Sequence, residues 1–288
     1  MSNTLVSVII VTYNARQTLQ AAIKSFIDQQ YLYKELIIID GNSTDGTNEI
    51  INEFRSAIEY FVSEPDNGIY DAMNKGIAAA KGEWLFFLGA DDVFLHKNVL
   101  SDILGFYDLS IFDFLYGNVR YTSDNRLYGG SRTYTQLIER NINHQSIFFR
   151  KAVFDKLGSY SLKYPVLSDY DKNLQIFNDD TIKKQYLPID ISLFNNRGGA
   201  SNIKLDFNFF SDKLNYFITE KKMSVNSPLL QHYNFYFGYA QLVKGNIATG
   251  LKHCFLAFIS GKKKVFYCLL FCKYIISHLG IGPKVKIV

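Results

Sequence analysis

Asp91 and Asp92 are adjacent carboxylates that close an apolar run beginning at Trp84 (W-L-F-F-L-G-A-D-D). Carboxylates gathered at one place repel each other and would repel a phosphate, unless a divalent cation bridges them. Hard oxygen ligands of this kind suit Mg2+ or Mn2+, which keep open positions for a diphosphate and stabilise it as it leaves. Other polar residues fall at comparable places: Thr12-Tyr13-Asn14 after Val6 to Val11, Asp40 after E-L-I-I-I, and Glu64-Pro65-Asp66-Asn67-Gly68 after Ile58 to Val62. Each alone reads as a turn or N-cap residue; several acids converging on one edge are harder to dismiss. No glycine-rich loop with a Walker lysine is present, nor a G-x-G-x-x-G after the first apolar run, which removes the main support for a P-loop or dinucleotide-binding reading.

The elements that must carry these residues follow from periodicity. Val6 to Thr12, Glu35 to Asp40, Ile58 to Val62 and Glu83 to Leu88 are short β-branched and apolar runs, the pattern of strands buried on both faces. Between them, Arg16 to Gln30, the stretch with Ile50, Ile51 and Phe54, and Ile69 to Ala80 repeat apolar residues at helical spacing. Such β-α-β alternation predicts an α/β fold with a mostly parallel sheet sandwiched by helices, and in such a sheet ligands bind outside the carboxyl ends of the strands. Beyond about Asn98 the pattern is mixed, with strands expected around Phe114 to Val119 and Ser146 to Arg150. From Asn208 onward the chain reads as helical and aromatic.

Charge separates the chain into regions with different partners. All 27 acidic residues lie at or before Glu220, and beyond it come ten lysines without one acid. The apolar runs of that tail are too short to span a bilayer; an interfacial helix pair fits them, with aromatics and leucines in the headgroup boundary and lysines facing anionic lipid. The alternative is a soluble helical cap with a solvated basic face. Nucleic acid fits poorly, because the aromatics cluster with aliphatics instead of spacing along a basic groove. The three cysteines, Cys254, Cys268 and Cys272, have neither disulfide nor metal-site spacing and read as reduced thiols in a cytosolic compartment. The run from Val6 to Val11 is too short for a signal-peptide core.

Taken in order, V-S-V-I-I-V-T-Y-N (Val6 to Asn14), I-I-I-D-G-N-S-T-D-G-T (to Thr47), D-N-G-I-Y-D-A-M-N-K-G (to Gly76), A-K-G-E-W (to Trp84) and F-L-G-A-D-D (to Asp92) resemble the family 2 glycosyltransferases with a GT-A fold. N-H-Q-S-I-F-F-R-K (Asn143 to Lys151), S-D-Y-D (Ser168 to Asp171) and G-G-A-S (Gly198 to Ser201) resemble a bacterial polysaccharide branch of it, so the resemblance spans roughly the first two-thirds of the chain. It implies that Tyr13 flanks a nucleobase, that Asp40 accepts a hydrogen bond from the base, and that Asp71, Asn74 and Lys75 lie near ribose, sugar or diphosphate. It implies further that the Asp91-Asp92 pair binds the metal, Asp92 as the direct ligand and Asp91 near the ribose or sugar of the donor, and that Asp169 is the general base of an inverting hexosyltransferase. A base and a metal site suffice for inversion, since one carboxylate takes the acceptor proton while the metal stabilises the phosphates. Many relatives place a second acid before the base, where this chain has Ser168; Asp169 also reads as a helix cap, and Asp171 is its nearest rival. His144 and Gln145 read as contacts to acceptor or diphosphate, or as structural hydrogen-bonders. Gly198-Gly199 reads as a flexible lip over the donor or as a tight turn.

The expected organisation is a GT-A catalytic region over residues 1–207, with a nucleotide-sugar half at 1–97 and an acceptor half at 98–207, followed by a helical, aromatic and basic extension at 208–288. The expected donor is a nucleotide diphosphate-sugar, uridine being the common base in the family. The expected acceptor is a lipid-linked or free saccharide in bacterial surface polysaccharide synthesis, met at the inner face of the cell membrane through residues 221–288. A sugar-phosphate nucleotidyltransferase and a catalytically silent sugar-binding scaffold are the rival readings.

Overall fold

The structure, a computed structural model, describes residues 4–105, 109–196, 204–260, 267, 271 and 286–287. Its first strands and helices alternate as the apolar runs predict: β1 (Val6–Thr12), α1 (Leu19–Ile27), β2 (Lys34–Asp40), α2 (Thr47–Glu53), β3 (Tyr60–Ser63), α3 (Ile69–Ala79) and β4 (Trp84–Gly89). There follow β5 (Val93–Phe94), α4 (Val99–Leu104), β6 (Phe114–Tyr121), β7 (Leu127–Tyr128), α5 (Tyr134–Glu139), β8 (Ile147–Arg150), α6 (Lys151–Leu157), α7 (Ser168–Asn178) and β9 (Lys184–Phe194). The C-terminal helices are α8 (Phe207–Thr219), α9 (Gln231–Val243) and α10 (Ile247–Ser260).

The large sheet runs β3-β2-β1-β4-β8-β6-β9-β5, with β7 on β6. The β3-β2-β1-β4 half is parallel, β8 is antiparallel to both neighbours, and β9 is parallel to β6. The chain winds outward from β1 through β2 to β3 and then returns to the other side of β1 for β4. This reversal opens a crevice at the carboxyl ends of β1 and β4, where a ligand can enter without meeting a crossover.

Both sheet faces are covered, which explains why the middles of β1, β2 and β4 are unbroken apolar runs instead of alternating. Val6, Val8 and Ile10 pack with Leu19, Ala22, Ile23 and Phe26 of α1. Ile9 points the other way, toward α3, and so closely that a side chain on Gly76 would stand 2.5 Å from its Cγ2. At the amino ends of the strands, Ser7 donates to Glu35 at 2.5 Å, and the same Glu35 oxygen accepts the backbone N–H of Lys81 at 2.7 Å. The Gly82 N–H donates to Ser7 Oγ at 2.8 Å. These bonds lock β1, β2 and the entry to β4 together.

The eleven-residue strand β9 is not announced by its sequence, because Pro188 breaks the run K-Q-Y-L-P-I-D-I-S-L-F. Pro has no N–H for a ladder, and the pairing with β6 shifts at that point: Tyr116 faces Tyr186, whereas Asn118 faces Asp190. The bulge lets an interior strand hold a proline.

The chain gathers into two compact units, one of Met1–Thr133, Ile142–Leu162 and Lys172–Gly199, the other of Tyr134–Asn141, Lys163–Asp171 and Ala200–Val288. Tyr134–Asn141 and Lys163–Asp171 thus group with the C-terminal helices. Within the second unit Asp206 caps α8 by accepting the Phe209 N–H at 3.1 Å, and Phe209 stacks on Tyr170 at 5.2 Å. Helices α9 and α10 approach through Gly238 and Gly250; a side chain on Gly238 would lie 2.7 Å from the Cys254 nitrogen. Cys254 is buried there as a free thiol, its pKa pushed up to about 12 by burial. Cys268, Cys272 and half of the ten late lysines lie outside the described residues.

A Cβ at Gly82 would lie 2.6 Å from the Ser7 backbone nitrogen and 2.9 Å from the Leu5 oxygen, neither of which can move without disturbing β1. Gly82→Ala should therefore lower unfolding stability by about 1–3 kcal/mol, the usual range for overpacking, read as a reduced urea midpoint. An unchanged midpoint would show that the strand entry yields freely.

Candidate functional site

The chain leaves β4 at Gly89 and turns, the Asp92 N–H donating to the Gly89 oxygen at 3.1 Å. The turn folds the Asp92 carboxylate back over Gly89, where any Cβ would collide with its Oδ2. Asp92 is buried, and Asn195, the residue after β9, reaches both acids: its backbone N–H donates to Asp92 Oδ1 at 2.6 Å and its amide to Asp91 Oδ2 at 3.1 Å. Asp92 Oδ2 is buried without a hydrogen-bond partner, as is Oε1 of Gln145 nearby. Burial pushes the Asp92 pKa up to about 7, with repulsion from Asp91 adding to it and the Asn195 N–H opposing. The Gln145 amide is close enough to ease the charge but makes no aligned bond to Oδ2.

A buried carboxylate oxygen without a donor, beside a second carboxylate, is a group poised for a cation. The donor set fits a hard divalent ion held by Asp92 and Asp91. Among the described residues there is no cluster of three or more His, Cys, Asp or Glu able to enclose a metal. Two acids leave room for oxygens from a diphosphate and water, as Mg2+ and Mn2+ sites of this kind do.

At the ends of β1 and β2 the loops are stitched together. Asn14, in the left-handed region with φ 51°, donates its N–H to Ser43 Oγ at 2.8 Å and accepts the Thr44 N–H at 3.0 Å. Asp40 is wholly buried: it accepts the Ser43 N–H at 2.9 Å, the Ser43 hydroxyl, the Ser63 hydroxyl at 2.6 Å and the Asn48 amide at 3.5 Å. These bonds fix the Asp40 carboxylate against the loops that follow β2 and β3. The open carboxylate here belongs to Asp66. Its Oδ1 accepts the Gly68 N–H at 2.8 Å, while Oδ2 comes so near Gly41 that a Cβ there would stand 2.6 Å away. The same Cβ would lie 3.3 Å from the Tyr13 ring, which is 68% exposed. Gly41, Tyr13 and Asp66 thus form a small cradle at the crevice rim. The signal in the sequence was the P-D-N-G turn after β3, which marks a bend without saying which acid stays open.

Helix α3 carries the next expected set. Asp71 Oδ2 accepts the Asn67 N–H at 2.9 Å and its amide at 3.2 Å, fixing the loop that enters the helix. The Asn74 amide pairs both ways with the Tyr160 backbone, each bond 2.9 Å, which anchors the helix there. Lys75 pairs with Glu64 at 2.7 Å and also donates to the Pro65 oxygen at 3.2 Å; the hydrogen bond to Glu64 raises its pKa and keeps it cationic. Gln145 lies in the turn His144–Ser146, which Asn143 caps by accepting the Gln145 N–H at 2.9 Å. His144 stands half-buried in the same turn. Ser192 of β9 ties this turn down by donating to the Gln145 oxygen at 2.8 Å.

In the second unit, α7 begins at Ser168. Asp169 is half-buried and accepts the Asn141 amide at 2.9 Å. Its rival Asp171 is buried in an ion pair with Lys213 of α8, which commits it to packing. Gly198 and Gly199, the expected lip, lie outside the described residues.

The profile of the family described as Glycosyl transferase family 2 matches residues 7–166. The PGL/p-HBAD biosynthesis glycosyltransferase of Mycobacterium bovis (strain BCG / Pasteur 1173P2) is 36% identical over 214 residues, covering 73% of this chain and 84% of that protein. The UDP-Glc:alpha-D-GlcNAc-diphosphoundecaprenol beta-1,3-glucosyltransferase WfgD of Escherichia coli is 30% identical over 190 residues, covering 63% and 73%. Among solved structures, S. aureus TarS 1-349 in complex with UDP-GlcNAc superposes with a TM-score of 0.62 at 15% identity, over 91% of this chain and 82% of that one. The mannosyltransferase PcManGT from Pyrobaculum calidifontis, in complex with GDP-Man and Mn2+, superposes with a TM-score of 0.59 at 16% identity, over 96% and 81%.

The raised pKa of Asp92 has a sign. The native state keeps a proton that the unfolded chain releases above its ordinary value of 3.8, so this group's contribution to stability is lost as pH rises through about 7. At pH 8 in EDTA, Asp92→Asn should be at least as stable as the parent. Added Mn2+ should raise the parent's melting temperature and leave the variant's unmoved. Equal Mn2+ shifts in both proteins would remove Asp92 from the metal site.

Proposed function

The chain belongs to glycosyl transferase family 2 and is a glycosyltransferase of GT-A fold, and we propose that it moves a hexose, with inversion, from a UDP-sugar to a hydroxyl of a lipid-linked or saccharide acceptor at the cytoplasmic face of a membrane. The observation that carries this reading is the orphaned, buried Oδ2 of Asp92 beside Asp91 at the mouth of the β1/β4 crevice. Family membership sets aside the nucleotidyltransferase alternative.

Tyr13 flanks the base, and Asp40 and Asp66 offer the carboxylates nearest its edge. Asp71 and Lys75 shape the rim nearest the ribose and diphosphate. A divalent cation held by Asp91 and Asp92 would neutralise the diphosphate as negative charge develops on it. Asp169, oriented by Asn141, takes the acceptor proton as the hydroxyl oxygen attacks the anomeric carbon. The bond from that carbon to the diphosphate oxygen breaks, and its electron pair leaves with the nucleotide. Support for the donor class comes from neighbours of the same fold described in complex with UDP-GlcNAc and with GDP-Man and Mn2+. Support for a lipid-linked acceptor comes from the name of the E. coli relative.

The membrane part rests on α10. Ile247, Leu251, Phe255 and Ile259 recur every fourth residue and are 63%, 52%, 60% and 49% exposed, so one face of the helix is an apolar stripe open to the surroundings. No helix of the described residues is long and apolar enough to cross a membrane. An exposed stripe on a chain segment with ten lysines and no acids suits a helix lying in an anionic interface, each lysine near the surface adding about 1 kcal/mol.

Asp169→Asn should retain UDP binding in calorimetry while transfer from the donor falls by about 10²-fold or more, the usual weight of a general base. Retained transfer would return Asp169 to the role of a helix-start residue. For the stripe, the double change Leu251→Ser and Phe255→Ser should cut co-sedimentation with phosphatidylglycerol vesicles well below that of the parent. Undiminished co-sedimentation would remove α10 from the membrane contact.

A further inference from the structure

Three aromatic side chains stand in a row on the sheet edge that carries the acid pair, and nothing assigned so far uses them. Tyr121 closes β6, Phe194 closes β9, and Tyr128 lies in β7. Register pairs Tyr121 with Phe194 and Val119 with Tyr128, so the two-residue alternation of a strand puts all three on one face. The Tyr121 ring lies 5.8 Å from Tyr128 and 5.9 Å from Phe194, at interplanar angles of 32° and 51°. All three are half-buried, unlike the fully covered Phe114, Phe148 and Phe149 further down the same sheet. The Arg126 guanidinium sits over the Tyr121 ring at 5.2 Å, its side chain 68% exposed.

The row is rigid and leads to the acids. Asn118 and Arg120 of β6 both bond to Asp190 of β9, at 3.0 and 2.7 Å, and Tyr186 donates to Asn118 at 2.9 Å. The Thr122 N–H donates to the Phe194 oxygen at 3.0 Å, and the residue that follows β9 is Asn195, whose N–H holds Asp92. One peptide unit therefore joins the last ring to the residue that holds the acid pair.

We propose that Tyr121, Tyr128 and Phe194 form the acceptor subsite, in which a pyranose ring of a saccharide acceptor stacks on Tyr128 and Phe194 while Arg126, over Tyr121, bonds the sugar hydroxyls. The inference rests on the reading of this chain as a transferase to a saccharide. A pyranose presents a face of C–H groups carrying slight positive charge, and aromatic faces carry the complementary negative quadrupole. Its hydroxyls project sideways, where the guanidinium and the two phenol groups can meet them. A platform held by the Asn118-Arg120-Asp190 bonds loses little freedom when the sugar arrives.

Saturation-transfer NMR of the full chain with UDP, Mn2+ and methyl β-D-glucopyranoside tests this. The parent should show transfer to the ring C–H protons of the glucoside, and Tyr128→Ala should weaken glucoside binding by about five- to ten-fold, the weight of one aromatic contact. Tyr128→Phe, which keeps the ring, should stay within two-fold, and UDP signals should be equal in all three proteins. Tyr128 lies on a two-residue edge strand, so UDP binding and an unchanged melting temperature report that the fold is kept. Equal glucoside signals in parent and Tyr128→Ala, or none in a parent that binds UDP, would overturn the platform. A parent that fails to bind UDP would instead overturn the donor reading, and the glucoside signal would still judge the platform.

Discussion

Asp92 keeps one carboxylate oxygen buried and unpartnered next to a second carboxylate, and the nucleotide side of the first unit is arranged around that tension. An isolated buried charge is expensive enough that the group holds its proton toward neutral pH. Gly89 is glycine because the folded-back carboxylate occupies the space of its Cβ. Asn195 arrives from a strand remote in sequence and donates to both acids, so the pair is held in place yet left one interaction short. That missing interaction is what a cation would provide.

The opposite edge of the same sheet shows the contrast. Glu35 is also buried among strands, but its Oε1 accepts from Ser7, Lys81 and Gly82. With its donors supplied by the protein, it acts as a fastener between strands. Asp40 belongs with Glu35 in this respect, although it lies at the carboxyl edge. Chemistry at a buried acid is decided by how many donors reach it more than by the acid itself.

That distinction marks how far the sequence could be read. The strands β1, β2 and β4 were legible because burial on both faces demands unbroken apolar runs, and the acids at their ends were legible because a strand end is where polarity resumes. What periodicity cannot convey is which side chains are already spoken for. Asn74 and Asp71 sit one turn apart on α3, yet one clasps the Tyr160 backbone and the other fixes the Asn67 loop. Asp169 and Asp171 differ by two residues, and only the approach of Lys213 from α8 separates them. The strand β9 was hidden by Pro188, and with it Asn195, whose role exists only once the strand is in place.

The bulge at Pro188 has a bearing on regiochemistry. Below it β9 pairs with β6 in one register, and a second shift follows between Asn118 and Val119, so the two together set which β9 residue comes level with Tyr121. With the present offset, an aromatic ring meets Tyr121 and an amide meets the acids. A single residue gained or lost there would carry Phe194 past its partner and draw Asn195 away from Asp92. On the proposed reading, the choice of acceptor hydroxyl is then governed by backbone phasing across these two shifts.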